Sequence, residues 1–205
     1  MMRTTVKKAI ILYWSLSGNT ERVASSIQKG LDEGGFETLL KKLDEADSVN
    51  FFDYDLTCFG VPSHNWHPPK PADDYLKAKL SRYKKENRIL INTPKIQGKN
   101  ALIFCTYSGP HTGIREAVPV GKYVGQFFEH LGFQVVDEWY VLSELHGSEE
   151  NNTLGRMGNI KGLPSEHDLK RIQSRARILA SRLTELPSAP EREVYVPGCN
   201  FADVD

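Results

Sequence analysis

The residues of this chain best suited to chemistry lie where an early apolar run meets a helix-like pattern. Residues 15–20 read Ser-Leu-Ser-Gly-Asn-Thr, and an amphipathic pattern begins at once. Such a loop directs backbone N–H groups, hydroxyls and a helix N-terminus to one point. A phosphate monoester, with about two negative charges at neutral pH, suits that point. Since no Lys or Arg lies between Trp14 and Glu21, dipoles and neutral donors would hold the anion.

The same loop also has a purely structural explanation. Ser17 or Asn19 could cap the helix that follows, because Ser and Asn favour that position. Capping accounts for one polar side chain, but not for a whole loop of small and polar residues. The candidate ligand-binding residues of this loop are therefore Ser15, Leu16, Ser17, Gly18, Asn19 and Thr20.

Two further loops carry polar and aromatic side chains directly after apolar runs. In an open parallel sheet, ligands bind beyond the carboxyl ends of the strands, where the strand order reverses. With the strand order 2-1-3-4-5, the ends of strands one, three and four lie side by side. The added candidates are Pro62, Ser63, His64, Asn65 and Trp66 in one loop, and Thr106, Tyr107, Ser108, Gly109 and Gly113 in the other.

The histidines in these loops invite two interpretations. His64 and His67 are spaced like a metal pair, but no third ligand follows at a matching spacing, although His111 could come near them. Bonding to the backbone or to the rim of a bound ligand is the favoured interpretation, and no metal site is predicted. His111 is the candidate catalytic residue, because an imidazole could tune protonation at a reacting edge.

The pattern of apolar residues predicts the elements that position these loops. Strands are expected over residues 6–14, 36–43, 53–61, 100–106 and 133–141, and helices over 20–33, from Pro71, around 123–131 and over 165–186. Strands that alternate with helices predict an α/β three-layer sandwich. We expect a five-stranded parallel sheet of order 2-1-3-4-5 with helices on both faces, and the more polar second strand near an edge.

Three segments lack this periodicity. Residues 87–99 form an irregular insertion, in which residues 89–91 are either a short extra strand or a packed loop. Residues 143–165 form a long polar segment. Residues 187–205 hold three prolines and are expected to be a C-terminal tail, following one domain over residues 1–186.

Composition excludes several classes of partner. Lys plus Arg equals Asp plus Glu at 26 each, so neither nucleic acid nor an anionic membrane surface is an expected partner. No apolar stretch is long enough to span a bilayer. Cys58 and Cys105 lie in apolar runs, where buried reduced thiols are common, and Cys199 lies in the tail. These features predict a cytoplasmic protein without structural disulfides.

Other α/β chemistries lack the residues that they need. A receiver domain needs clustered acids after the first strand, and residues 13–15 contain none. A small cysteine phosphatase needs a phosphate loop between Cys and Arg, but Cys105 meets no Arg until Arg115. The Walker pattern is absent, and no dinucleotide fingerprint follows the first strand.

The stretch of residues 11–24 resembles the signature of the flavodoxin-like family, with Ser15, Gly18, Thr20 and Ala24 at the family's spacing. Residues 60–63 resemble its second flavin loop, and residues 106–113 are similar to its third. The resemblance covers roughly residues 6–185 in the order of elements. Residues 158–164 also resemble the NAD(P)H:quinone oxidoreductase and flavodoxin-type reductase branches.

The resemblance implies FMN as the cofactor. Ser15, Ser17, Gly18, Asn19 and Thr20 would hold its 5′-phosphate. Trp66 and Tyr107 are the candidates to contact the flavin ring, and either side chain could instead pack on its own loop.

Three functions stay open at this point. An oxidoreductase would pass electrons from a reduced nicotinamide to a quinone or other small acceptor, and the neutral surface fits this function best. The alternatives are a one-electron carrier between redox protein partners and a binding module without turnover. A homo-oligomer is left open, with residues 87–99 and 143–165 as the natural places for contacts.

Overall fold

The fold is a five-stranded, wholly parallel sheet with the strand order β2-β1-β3-β4-β5. A computed structural model describes residues 6–185, so the predicted tail over residues 187–205, with Cys199, lies outside the described residues. The predicted order 2-1-3-4-5 is confirmed. The strands are β1 Lys8–Tyr13, β2 Glu37–Lys42, β3 Leu56–Pro62, β4 Asn100–Tyr107 and β5 Gln134–Leu142.

Helices cover both faces of the sheet and complete the predicted three-layer sandwich. On one face Val23 and Ile27 of the first helix pack in a core with Ala176 of the last. On the other, Tyr75 and Phe128 belong to a second core. The helices are α1 Asn19–Glu33, α2 Lys70–Lys85, α3 Val118–His130, the short α4 Glu149–Thr153 and α5 Glu166–Thr184.

The central strands are buried on both faces, as their continuous apolar runs predict. Side chains alternate along β1, so that Ile10 faces one core and Ile11 the other. On β3, a Cβ at Gly60 would lie 1.9 Å from the Phe104 ring, so glycine makes room for that ring. The more polar β2 lies at the edge of the sheet, as expected.

Helices α1 and α5 pack closely against each other at two glycines of the segment that includes α1. A Cβ at Gly30 would lie 2.1 Å from the carbonyl oxygen of Gln173, and one at Gly34 would lie 2.3 Å from Cβ of Ala180. Only glycine allows this approach. Because α1 follows β1 directly in the chain, its N-terminus lies at the carboxyl end of β1.

The insertion over residues 87–99 forms a packed loop and not an extra strand. Ile89 packs against the core, whereas Ile91 is fully exposed. Cys58 and Cys105 are unpaired and buried, and burial raises the pKa of both thiols. Within residues 6–185, no helix combines the length and apolar character needed to cross a bilayer.

Candidate functional site

The loop between β1 and α1 leaves the first turn of α1 without a side-chain cap. Gly18 is the N-cap residue with φ +90°, and no side chain accepts a hydrogen bond there. Ser15 Oγ instead accepts from the N–H of Gly18 at 3.1 Å, while Asn19 donates elsewhere. The capping alternative for Ser17 and Asn19 is therefore wrong. The N–H groups of the first helical turn have no intrahelical acceptor, which suits an anion.

Hydrogen bonds tie this loop to the other two predicted loops. The hydroxyls of Thr20 and Thr106 lie 2.8 Å apart, and both residues are buried. The N–H of Ser63 donates to the carbonyl oxygen of Thr106 at 2.8 Å. The Ser63 hydroxyl donates to the carbonyl oxygen of Glu116 at 2.5 Å. The three loops therefore form one continuous surface.

Together the loops enclose an open cavity of about 220 Å³. Most of the predicted binding residues line it: Ser15, Leu16, Ser17, Asn19, Thr20, Pro62, Ser63, His64, Thr106, Tyr107 and Ser108. Five others are not among its lining residues: Gly18, Asn65, Trp66, Gly109 and Gly113. Gly18 contributes the turn of the phosphate loop, and the other four lie in the flanking loops.

The loop after β3 is a tight turn that points Trp66 towards solvent. His64 and His67 exchange both backbone hydrogen bonds, at 2.9 and 3.0 Å. Asn65 and Trp66 between them have φ values of +48° and +64°, and Trp66 is 61% exposed. A positive φ is rare for a bulky residue. Trp66 does not line the cavity.

A chain of contacts anchors this turn to two helices. The His67 ring meets the Tyr123 ring edge-on, with centroids 5.5 Å apart. The Tyr123 hydroxyl donates to Asp73 at 2.5 Å. Burial, and then this carboxylate, raise the pKa of Tyr123 to about 12. In the described part of the chain, no cluster of three or more His, Cys, Asp or Glu side chains could hold a metal ion.

The loop after β4 turns on two glycines and carries His111 away from the cavity wall. Gly109 and Gly113 have φ values of +58° and +67°, and a Cβ at Gly109 would lie 2.7 Å from the Gly113 carbonyl oxygen. His111 is exposed, and its backbone N–H donates to the Glu116 carboxylate at 2.9 Å. The candidate catalytic His111 is therefore not a lining residue of the cavity.

The cavity has a fourth wall, at the end of β5, that was not predicted from the sequence. The N–H of Ser143 donates to the carbonyl oxygen of Tyr107 at 2.8 Å. The Asn19 amide donates to the carbonyl oxygen of Glu144 at 2.9 Å. The missed lining residues are Trp14, Ser143, Glu144, Leu145 and His146. The one sequence signal for this wall was that β5 follows β4 in the predicted strand order.

Most of the polar side chains that line the cavity carry hydroxyl groups. No Lys or Arg is among its lining residues, so neutral donors prevail there, as the loop sequence predicted. The Glu144 carboxylate accepts from the N–H of Gly162 at 2.7 Å. Burial, and then the Cys105 thiol, raise the pKa of Tyr107, which keeps its hydroxyl neutral. Because neutral hydroxyl donors lie beside the uncapped N–H groups of α1, the cavity is suited to bind a phosphate ester.

The fold and this cavity define an α/β protein with a site suited to a phosphate ester at the carboxyl ends of its parallel strands. The sequence profile of the flavodoxin family matches residues 11–171, and the chain therefore belongs to the flavodoxin family. A comparison with curated proteins gives no match.

Solved structures with the same fold include flavodoxins at low sequence identity. Flavodoxin 2 from Bacillus cereus is 19% identical, with TM-score 0.60, over 85% of this chain and 98% of that one. Flavodoxin 1 from the same organism is 16% identical, with TM-score 0.59, over 88% and 99%. A flavodoxin, WrbA-like protein from Agrobacterium tumefaciens is 12% identical, with TM-score 0.56, over 88% and 99%.

FMN is the cofactor of this family, and the residues present fit it. The uncapped first turn of α1 and the surrounding hydroxyls match the acceptor oxygens of a phosphate ester. Glu144 is the acidic residue among those that line the cavity, and its carboxylate accepts a hydrogen bond from the N–H of Gly162.

Proposed function

We propose that this protein is an FMN-dependent oxidoreductase that passes electrons from a reduced nicotinamide to a quinone or another small acceptor. The observation that carries the proposal is the unequal placement of the two candidate aromatic residues. Tyr107 is buried in the cavity wall, whereas Trp66 is 61% exposed and does not line the cavity. Trp14 and Tyr107 line the cavity, and with Trp66 outside its lining one side of the site would stay open to a second flat molecule.

We propose that the phosphate loop supplies most of the affinity for FMN. Ser15, Ser17 and Thr20 would contribute hydroxyls, Asn19 would contribute its backbone N–H, and Gly18 would set the turn of the loop and hold Ser15 through its own N–H. A hydrogen bond to a charged group is worth ~1.5–3 kcal/mol. The end of a helix adds ~0.3–2 kcal/mol for a negative charge. Several such contacts together would hold the phosphate without a Lys or Arg.

The flanking loops would contact the rest of the cofactor. Tyr107 would pack against the flavin, since offset aromatic contacts are worth ~0.5–1.5 kcal/mol beyond burial. The remaining wall would be built by Leu16, Pro62, Ser63, His64, Thr106 and Ser108. Asn65, Trp66, Gly109 and Gly113 would lie at the rim. When bound, FMN supplies a ring that can accept a hydride and release electrons to an acceptor.

Two properties of the chain favour a nicotinamide as the electron donor. Its net charge is zero, so a dinucleotide meets no strongly acidic surface. His64 and His146 line the cavity, where their ring nitrogens could hydrogen-bond to a dinucleotide. Hydride transfer needs reacting atoms ~3–3.5 Å apart, which an uncovered side of the site permits.

The buried, unpaired Cys58 and Cys105 support a cytoplasmic location.

Anaerobic stopped-flow absorbance of the FMN-loaded protein tests this proposal. Mixing with NADH or NADPH should bleach the flavin absorbance with a rate that saturates in nicotinamide, and a quinone should restore the colour. If dithionite bleaches the flavin but neither NADH nor NADPH does, the nicotinamide-dependent function is excluded.

A matched variant tests the argument from the open side. Trp66→Ala should keep the FMN dissociation constant within about threefold of wild type, because Trp66 does not line the cavity. A loss of more than about tenfold would mean that the indole covers the bound cofactor and that the open side does not exist.

Electron carriage between proteins is the second candidate, and one observation favours it. Several large apolar side chains near the cavity mouth are exposed, among them Leu16 at 80%, Trp66 and Leu145. Such a rim suits a protein partner. A carrier would show two well-separated one-electron potentials and a slow reaction with nicotinamides. Recombinant protein that stays colourless after incubation with FMN would instead favour a binding module without turnover.

A further inference from the structure

We infer that Asn152, which does not touch the cavity, positions the fourth wall of the cofactor site. This inference rests on the proposed FMN site, because Leu145 and His146 of that wall line the cavity. Asn152 lies in α4 and is 2% exposed, so its amide is cut off from water. Its amide forms hydrogen bonds with the backbone of Leu145 in that wall.

The Asn152 amide binds both backbone groups of one residue. Its Oδ1 accepts from the N–H of Leu145, and its Nδ2 donates to the carbonyl oxygen of Leu145, both at 2.8 Å. A primary amide offers one acceptor and one donor side by side, and therefore pairs with a residue's N–H and C=O as a neighbouring strand would. The Leu145 carbonyl oxygen also accepts from the N–H of Ser148, but over a longer distance of 3.4 Å.

The backbone of Asn152 connects this pairing to the rest of the segment. Its carbonyl oxygen accepts from the N–H of Ile160 at 2.8 Å, and its N–H donates to Ser148 at 3.2 Å. The neighbouring Glu144 is held on both sides, by Asn19 through its carbonyl oxygen and by Leu163 through its N–H. Asn152 thus connects the wall to the turns that follow it, while Asn19 connects it to the phosphate loop.

The test is an isosteric substitution whose defect depends on pH. In Asn152→Asp the ionised carboxylate still accepts from Leu145, but its second oxygen faces the Leu145 carbonyl oxygen, and the two repel each other. We expect FMN to bind roughly tenfold more weakly at about pH 8 than to wild type. Burial beside a carbonyl raises the pKa of the new carboxyl. At about pH 5 the protonated form donates to that carbonyl again, and affinity should return to within about threefold of wild type.

The readout is the ratio of variant to wild-type FMN dissociation constants at each pH, measured by quenching of flavin fluorescence. The ratio cancels the titration of the FMN phosphate and of groups near Asn152 that both proteins share, namely Glu144, His146, Glu149 and Glu150. Melting of the apoprotein by circular dichroism reports stability separately.

Asn100→Asp is the matched control. Asn100 is also buried, and its amide donates to the carbonyl oxygens of Asp55 and Gly98. It lies at the amino end of β4, at the opposite end of the sheet from the cavity. This variant should lose stability while its FMN affinity stays within about twofold of wild type.

The outcomes separate the inference from the proposed function. Equal affinities of wild type and Asn152→Asp at every pH would overturn the inference, as would a loss that the control shares. Failure of wild type to bind FMN would overturn the proposed function instead. If Asn152→Asp does not fold, Asn152→Ser takes its place, with a weakening that does not vary with pH. Wild-type affinity in that variant would equally overturn the inference.

Discussion

Two of the four walls of the candidate cofactor cavity differ in origin. One is the phosphate loop over residues 15–20, and the other, the β5 wall, consists of residues 143–146. The phosphate loop is built by local sequence, since six consecutive residues set the turn, the hydroxyls and the start of α1. The β5 wall is built by distant contacts, through Asn19 and Asn152. Chemistry that is encoded locally is visible in a sequence, whereas chemistry that is assembled from distant residues requires the fold.

The two ends of α1 provide the sharpest test of the phosphate loop. Gly18 and Gly35 have φ values of +90° and +88°, and a Cβ at either would meet nothing within 4 Å. Alanine in this region costs ~1–2 kcal/mol, so Gly18→Ala and Gly35→Ala should destabilise the fold similarly. Only Gly18→Ala should also weaken FMN binding, by roughly thirtyfold, because only that strain is relieved by moving the phosphate loop.

Fluorescence titration with FMN and urea unfolding would separate these two effects. Equal FMN affinities for Gly18→Ala and Gly35→Ala would contradict the assignment of the phosphate loop.

The buried hydroxyl pair that joins the first and third loops gives the next effect. Thr20→Val removes one partner and leaves the Thr106 hydroxyl without it in the protein interior. We expect a loss of ~1–2 kcal/mol in the free energy of unfolding, measured in urea. FMN affinity should fall as well, since Thr20 is a proposed phosphate donor.

Thr57→Val is the control for this change. Thr57 is fully buried on β3, and its hydroxyl has no hydrogen-bond partner among residues 6–185. The same substitution should therefore leave stability within ~0.5 kcal/mol of wild type or increase it. Matching losses at both positions would mean that the Thr20–Thr106 pair contributes nothing.

The capping box that follows the β5 wall gives the smallest effect. The Asp168 carboxylate accepts from the Ser165 hydroxyl at 2.6 Å and from its N–H at 3.0 Å. The hydroxyl bond is the main cause that lowers the pKa of Asp168 below its usual 3.8, against the opposing effect of burial. The stabilisation is complete above pH 3.8 and is lost as the pH falls through the lower folded value.

Asp168→Asn should cost ~0.5–1 kcal/mol in the free energy of unfolding at neutral pH, and the deficit should vanish in acid as wild type loses the same bond. Urea unfolding at several pH values measures this. Ser165→Ala should cost more, because it also removes the oxygen that accepts from the Asp168 N–H, and that part of its deficit should not vary with pH. A deficit that persists undiminished below about pH 3 would exclude the carboxylate as its source.

Local patterns were enough to predict the sheet and most of the site. Continuous apolar runs mark β1, β3 and β4 as buried strands, and the polar β2 marks an edge. With the strand order known, three loops had to meet. The loop residues themselves carry the hydroxyls that line the cavity, so their types were visible without any contact information.

The rest depended on tertiary structure. The β5 wall lies in a polar segment without periodicity, and the Asn152 side chain that orders it acts across seven residues. Trp66 projects outwards because a two-residue turn forces a positive φ on it, which its residue type does not predict. His111 lies outside the cavity lining, in a turn where Gly109 and Gly113 have positive φ values and the Glu116 carboxylate accepts from the His111 backbone N–H.

The most direct test of the central claim compares FMN with riboflavin, which lacks the phosphate. If neutral donors at residues 15–20 hold a phosphate ester, the apoprotein should bind FMN at least ~100-fold more tightly than riboflavin, since two or more charge-assisted bonds are lost. Fluorescence titration of both ligands under the same conditions measures this ratio. Equal affinity for the two ligands, or no binding of FMN, would contradict the account.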